Sequence, residues 1–262
     1  MKWRGTLLLG VVVALIAVVC FVPRIPQSET YHDFADTRAL LGIPNCLNVI
    51  SNGLFLLVGL LGIRFVARPA ADDSQKFLDR RERWPWLAFF AAVTLTAFGS
   101  AYYHLNPNDR TLVWDRLPMA VGFMALLAAV LAERLGVAVG VRLLLPLALI
   151  GAATVEWWSV TQARGAGDLR PYALVQFGSL PILLLLLALY PPRYTRGGDL
   201  IVSLAIYGVA KILEAADRPI FAMLHVVSGH TLKHAAAALS AWWILYMLQR
   251  RSPMIPAAAQ RS

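Results

Sequence analysis

Runs of about twenty apolar residues recur along the whole chain, and little else about it constrains the fold so tightly. A bilayer core needs about 20 predominantly apolar residues in a helix. Backbone groups in lipid must be satisfied within the segment, which leaves helices as the spanning element for runs of this length. The runs fall at residues 6–22, 45–63, 84–104, 111–132, 143–160, 171–190, 199–216 and 229–248. Eight helical spans are therefore expected. Pro23-Arg24-Ile25-Pro26 ends the first run without a convincing Ala-x-Ala cleavage site, so residues 1–26 read as an uncleaved anchor rather than a signal peptide. Residues 27–250 then form one helical membrane domain, and 251–262 a basic tail.

Composition agrees. Of 262 residues, 58% are hydrophobic and only 15% charged, against about a quarter charged in a soluble protein. The formal charge of +9 would suit nucleic acid in a soluble chain. Here the basic residues flank apolar runs, as cytoplasmic loops do, and no nucleic-acid partner is expected. Cys20 and Cys46 belong to no CxxC pair, so neither a thiolate zinc site nor a disulfide framework is indicated.

Ionisable groups are expensive inside a membrane and are functional candidates for that reason. They concentrate in two stretches, Gly99-Ser100-Ala101-Tyr102-Tyr103-His104 with Asp115 close behind, and His230-Thr231-Leu232-Lys233-His234. Residues four apart share a helix face, about 6 Å apart along the axis. Ser100 thus lies over His104, and His230 over His234. Asn106-Pro107-Asn108-Asp109 is a short turn, so the third and fourth spans are antiparallel neighbours and His104 comes beside Asp115. Three imidazoles can close on one zinc ion, leaving an open position for water. Asp115 could take that water's proton, and Ser100 could hydrogen-bond the water or a developing oxyanion. The same spacing also fits structural histidines that only hydrogen-bond between helices. Lys211 and Glu214, three apart, read as an internal ion pair.

With eight spans, alternate loops share a side. Fifteen Lys and Arg then fall on the side of the termini and seven on the other. The positive-inside rule puts both termini in the cytoplasm. His104, Asp115, His230 and His234 all land in the non-cytoplasmic half, as one site requires.

Ser100-x-x-x-His104, Asp115 and His230-x-x-x-His234 together resemble the signature of the alkaline ceramidase family. Asn48-Val49-Ile50-Ser51-Asn52 resembles that family's Asn-x-x-Ser-Asn element. The likeness runs from about Tyr31 to Leu248 and is especially close to bacterial alkaline phytoceramidases. The wider superfamily of seven-helix membrane hydrolases also contains the adiponectin receptors. The resemblance implies a seven-helix ceramidase-like bundle preceded by one extra helix, in a bacterial inner membrane. It implies zinc on His104, His230 and His234, with Asp115 and Ser100 catalytic. The substrate it implies is a ceramide, phytoceramide or related N-acyl lipid, cleaved to a fatty acid and a free amine. It further implies calcium near Asp33, Asp36 and Asn45, although Asn45 stands where the family has a glutamate.

Two rival functions use the same residues. A lipid-binding receptor or sensor would keep the zinc site without turnover. A transporter would need an ionisable pathway, for which Glu156, Lys211 and Glu214 are the deep candidates.

Overall fold

A computed structural model describes residues 2–68 and 76–254. Among them the chain is helical, with no β-strand beyond two isolated bridges. In chain order the helices are α1 (Lys2–Phe21), α2 (Cys46–Ile50), α3 (Gly53–Val66), α4 (Arg83–Leu105), α5 (Asp109–Arg134) and α6 (Val137–Ala163). Then come α7 (Arg170–Ala173), α8 (Ser179–Leu189), α9 (Asp199–Ala215), α10 (Asp217–Leu224) and α11 (Gly229–Arg250).

Among the described residues six stretches are long and apolar enough to cross a membrane: Trp3–Phe21, Cys46–Val66, Arg80–Leu105, Asp109–Arg134, Val137–Ala163 and Arg170–Leu189. The chain is thus an α-helical polytopic membrane protein. Two of the eight expected spans fall outside this set. Helix α9 has 17 residues, about 25 Å of rise against a hydrocarbon core of about 30 Å. Helix α11 is long enough but carries His230, Lys233, His234 and Arg250. Both nonetheless pack into the bundle.

Neighbours follow one another: α6 on α5, α5 on α4, α4 on α3, α3 on α11, α11 on α9. Helix α8 lies against α5, and α1 against α8. Helix α5 is the centre, with 78% of its span buried, while none of the α1 span is. Helix α1 is tied on at its end instead. Arg170 donates to the carbonyls of Val19 at 3.1 Å and Val22 at 2.6 Å, and the Leu169 amide donates to the Ile25 carbonyl at 2.8 Å.

Local chemistry explains the breaks. Asn108 opens α5 with a capping box, its side chain taking the Arg110 and Thr111 amides while Thr111 takes the Asn108 amide. Ser228 caps α11 through the Thr231 amide at 3.2 Å. The expected span 45–63 is divided. The Asn52 amide group donates to the Asn48 carbonyl at 2.7 Å and the Ser51 hydroxyl to the same oxygen at 3.1 Å, so side chains compete with the helix ladder and separate α2 from α3. The sixth span is likewise α7, a wide π-type turn at Leu174–Gly178, and α8.

Helices α4 and α5 meet at a backbone contact. Pro118 lies inside α5 and has no N–H for the Trp114 carbonyl four residues earlier. Gly99 of α4 lies against that carbonyl, so close that an added Cβ would stand 1.9 Å from its oxygen. The next residue on α4 is Ser100, and the next on α5 is Asp115.

At the opposite end of the bundle Arg251 is not part of a solvated tail. It is 1% exposed, donates to Glu133 at 3.1 Å and to the Lys76 carbonyl at 2.9 Å, and lies over the Tyr194 ring at 3.9 Å. Residues 252–254 continue alongside 193–195. The rest of the expected tail, 255–262, and residues 69–75 of the basic loop lie outside the described residues.

Candidate metal centre

His104 comes from the last turn of α4; His230 and His234 come from the first turns of α11. Their rings form a near-equilateral triangle, with centroids 4.9 Å apart for His104–His230 and 5.0 Å for each pair involving His234. One ring nitrogen from each lies within 4.8 Å of the others, and all three residues are buried. Both ring nitrogens of His104, and Nε2 of His234, are buried without a hydrogen-bond partner among the described residues. Such groups forfeit their hydration for nothing in return. A cation shared among them resolves that deficit, and three neutral imidazoles suit zinc.

The His234 tautomer follows from its neighbour. The Ser51 hydroxyl has one proton, which goes to the Asn48 carbonyl. Toward Nδ1 of His234, 2.8 Å away, Ser51 must therefore accept. That places the ring proton on Nδ1 and leaves the Nε2 lone pair free, the form in which an imidazole binds a metal. The break between α2 and α3 is what turns Ser51 to this task.

A connecting segment covers the triangle. Phe34 packs its ring 4.6 Å from His104 and 4.5 Å from His230. Asp217 clamps this cover to α11: one carboxylate oxygen accepts from the Ala35 amide at 2.8 Å, the other from the His230 amide at 2.7 Å. Gly229 permits the approach, since a Cβ there would stand 2.3 Å from the Leu213 carbonyl oxygen.

Ser100 and Asp115 are both buried, and the Ser100 side chain neighbours the Asp115 carboxylate. Together with His234 they line one cavity of about 320 Å³ whose walls are mostly apolar, Phe55, Phe89, Met119, Leu126 and Ile244 among them. The expected pairing of α4 with α5 is present, and it brings Ser100, His104 and Asp115 to one end of the bundle.

Two of the three residues expected near calcium have partners within the chain. Asp36 makes a two-point ion pair with Arg38 at 2.8 Å, which holds its carboxyl below the usual range. Asp33 is exposed and lies 3.7 Å from Arg218. Asn45 donates to the His104 carbonyl at 2.8 Å.

Lys211 and Glu214 pair as expected. Sequence reasoning missed the third member: Lys233 lies 3.1 Å from Glu214 and 2.8 Å from Nε2 of His230. Its place between the two histidines was the available signal. Phe34 and Asp217 carry no signal of their own, because their roles exist only once distant segments meet. Glu156 is exposed on α6, apart from this cluster, and offers no step in an ionisable pathway.

The chain matches no protein-family model, and no curated protein matches it.

Proposed function

We propose that this protein is a zinc-dependent intramembrane hydrolase that cleaves the amide bond of ceramide, phytoceramide or a related N-acyl lipid. The observation that carries the reading is the junction of three features. A buried histidine triangle with unpartnered nitrogens, a buried carboxylate–hydroxyl pair and an apolar cavity meet at one place. The motif resemblance points the same way. His104, His230 and His234 would hold the zinc ion. When bound, it supplies Lewis acidity toward the amide carbonyl and lowers the pKa of water.

The remaining steps belong to the chain. Asp115 accepts a proton as water oxygen bonds to the amide carbon. Ser100 holds the carboxylate in place through its hydroxyl. The carbon–nitrogen bond then breaks, and Asp115 returns the proton to the leaving nitrogen. The products are a fatty acid and a free amine. Phe34 and the apolar walls exclude bulk water and receive the acyl chain.

In the membrane we assign eight spans, with α9 and α11 crossing as part of the packed bundle. Both termini face the cytoplasm and the metal centre faces the other side, following the distribution of basic residues.

Purified protein loaded with zinc, given an N-acyl lipid with a labelled acyl chain, should release labelled fatty acid. Chelation should stop release, and zinc should restore it. Tight lipid binding with no release would instead assign a sensor.

A further inference from the structure

Five charged side chains line the cavity: Asp115, Arg116, Lys211, Glu214 and Lys233. Cations outnumber anions by one before any metal ion is added. Glu214 is shared by two ammonium groups, pairing with Lys211 and, at 3.1 Å, with Lys233. Neither lysine is free to reach bulk solvent fully: the Lys233 side chain is 15% exposed and that of Lys211 33%. Arg116 is 5% exposed. Its Nη2 donates to Gln27 at 2.5 Å, its guanidinium lies 4.3 Å over the Trp158 ring, and its Nη1 is buried without a partner. A surplus of positive charge on apolar walls favours the entry of something negative.

The position of the surplus limits what can join it. Lys233 touches His230, and Arg116 follows Asp115 directly in the chain. An anion held there shares one cavity with Asp115 and with whatever amide meets it. We propose that the cavity selects an N-acyl lipid whose amine portion carries an anionic group, a carboxylate or a phosphate, next to the amide. Lys233 and Lys211 bind that group as point charges. This rests on the hydrolase reading of the same site and narrows its substrate class.

The test uses full-length protein in neutral detergent and three ligands with one acyl chain: N-dodecanoylglycine, N-dodecanoyl-phosphoethanolamine and N-dodecanoylethanolamine. Binding is measured by calorimetry with and without chelator, and released amine is assayed in the same samples. At least one anionic ligand should bind about tenfold more tightly than the ethanolamide, and the carboxylate and phosphate arms show which anion is preferred. Lys233→Met and Lys211→Met should each shrink that ratio, while Glu214→Gln should keep or enlarge it. Equal binding of all three ligands by the unaltered protein overturns the inference, whatever the variants do. Release of amine from the ethanolamide with no preference for either anion keeps the hydrolase and removes the anion subsite. A preference for the anion with no release from any ligand keeps the subsite and removes the hydrolase.

Discussion

Ser51 accepts a hydrogen bond from Nδ1 of His234 at 2.8 Å, so a residue on the turn between two helices decides which imidazole nitrogen faces the histidine triangle. Partners of this kind typically change metal affinity 10- to 100-fold when removed. Ser51→Ala should therefore weaken zinc binding about 10- to 100-fold, read by competition with a fluorescent chelator. His104→Ala, which removes a ligand outright, should lose the metal on dialysis. Unchanged affinity in Ser51→Ala would mean that Ser51 does not orient the His234 ring for the metal.

Asp115 and the histidines should separate cleanly in a second experiment. Asp115→Asn keeps the shape and all three imidazoles, so zinc content should stay at the level of the unaltered protein. Hydrolysis should fall about 100- to 10,000-fold, the usual range for a lost general base. Near-normal turnover in Asp115→Asn would reduce Asp115 to a structural role beside Ser100.

Orientation is open to labelling. Leu135, between α5 and α6, and Arg164, at the end of α6, are both exposed and lie on opposite sides in the eight-span assignment. In a background without Cys20 and Cys46, Arg164→Cys should react with an impermeant maleimide on intact cells. Leu135→Cys should react only after permeabilisation. The opposite pattern reverses the orientation.

The end of the bundle far from the histidines should be the least forgiving of charge removal. Arg251 is buried against Glu133 and Tyr194. Arg251→Met would leave the Glu133 carboxylate with Arg134 alone, 3.8 Å away, and breaking a buried pair costs up to about 3–5 kcal/mol. A marked drop in melting temperature in detergent is the expected result, with zinc affinity unchanged in whatever protein remains folded.

Acid should loosen the tie that holds α1 to the bundle. Hydrogen bonds from Arg170 hold the Asp168 carboxyl down at about 2, against about 3.9 when unfolded. A depressed carboxylate contributes stability that is complete above the unfolded value and fades as pH falls through the folded one. Thermal stability should therefore decline between about pH 4 and pH 2, and Asp168→Asn should flatten that decline while lowering stability at neutral pH. Because Arg170 also holds the Val19 and Val22 carbonyls, protease sensitivity after α1 should rise in the same window.

The legible part of this molecule was periodic or local. Apolar runs marked the helices to within a few residues, and the Asn106–Asp109 turn fixed α4 against α5. Spacing of four put His230 and His234 on one face, and the order of the spans put His104 in the same half of the bilayer. What could not be read depends on contacts between distant segments. Nothing near Phe34 or Asp217 announces that one covers the histidines and the other ties that cover down. The break at Ser51 and Asn52 was hidden because both residues sit within an apolar run. Its cause is a competition for one carbonyl, visible only with side chains in place. Arg251 was misread for the converse reason: a basic residue after a span ordinarily meets water, whereas this one meets Glu133.

The contact of Gly99 with the Trp114 carbonyl carries a lesson for anyone scanning this site by substitution. Alanine replacement is ordinarily a subtraction, and its effect reports on the atoms taken away. At Gly99 it adds a methyl where an oxygen already stands, wedging apart the two helices that hold Ser100 and Asp115. The residue here least tolerant of change is therefore one with no side chain, and its chemistry is entirely that of the room it leaves.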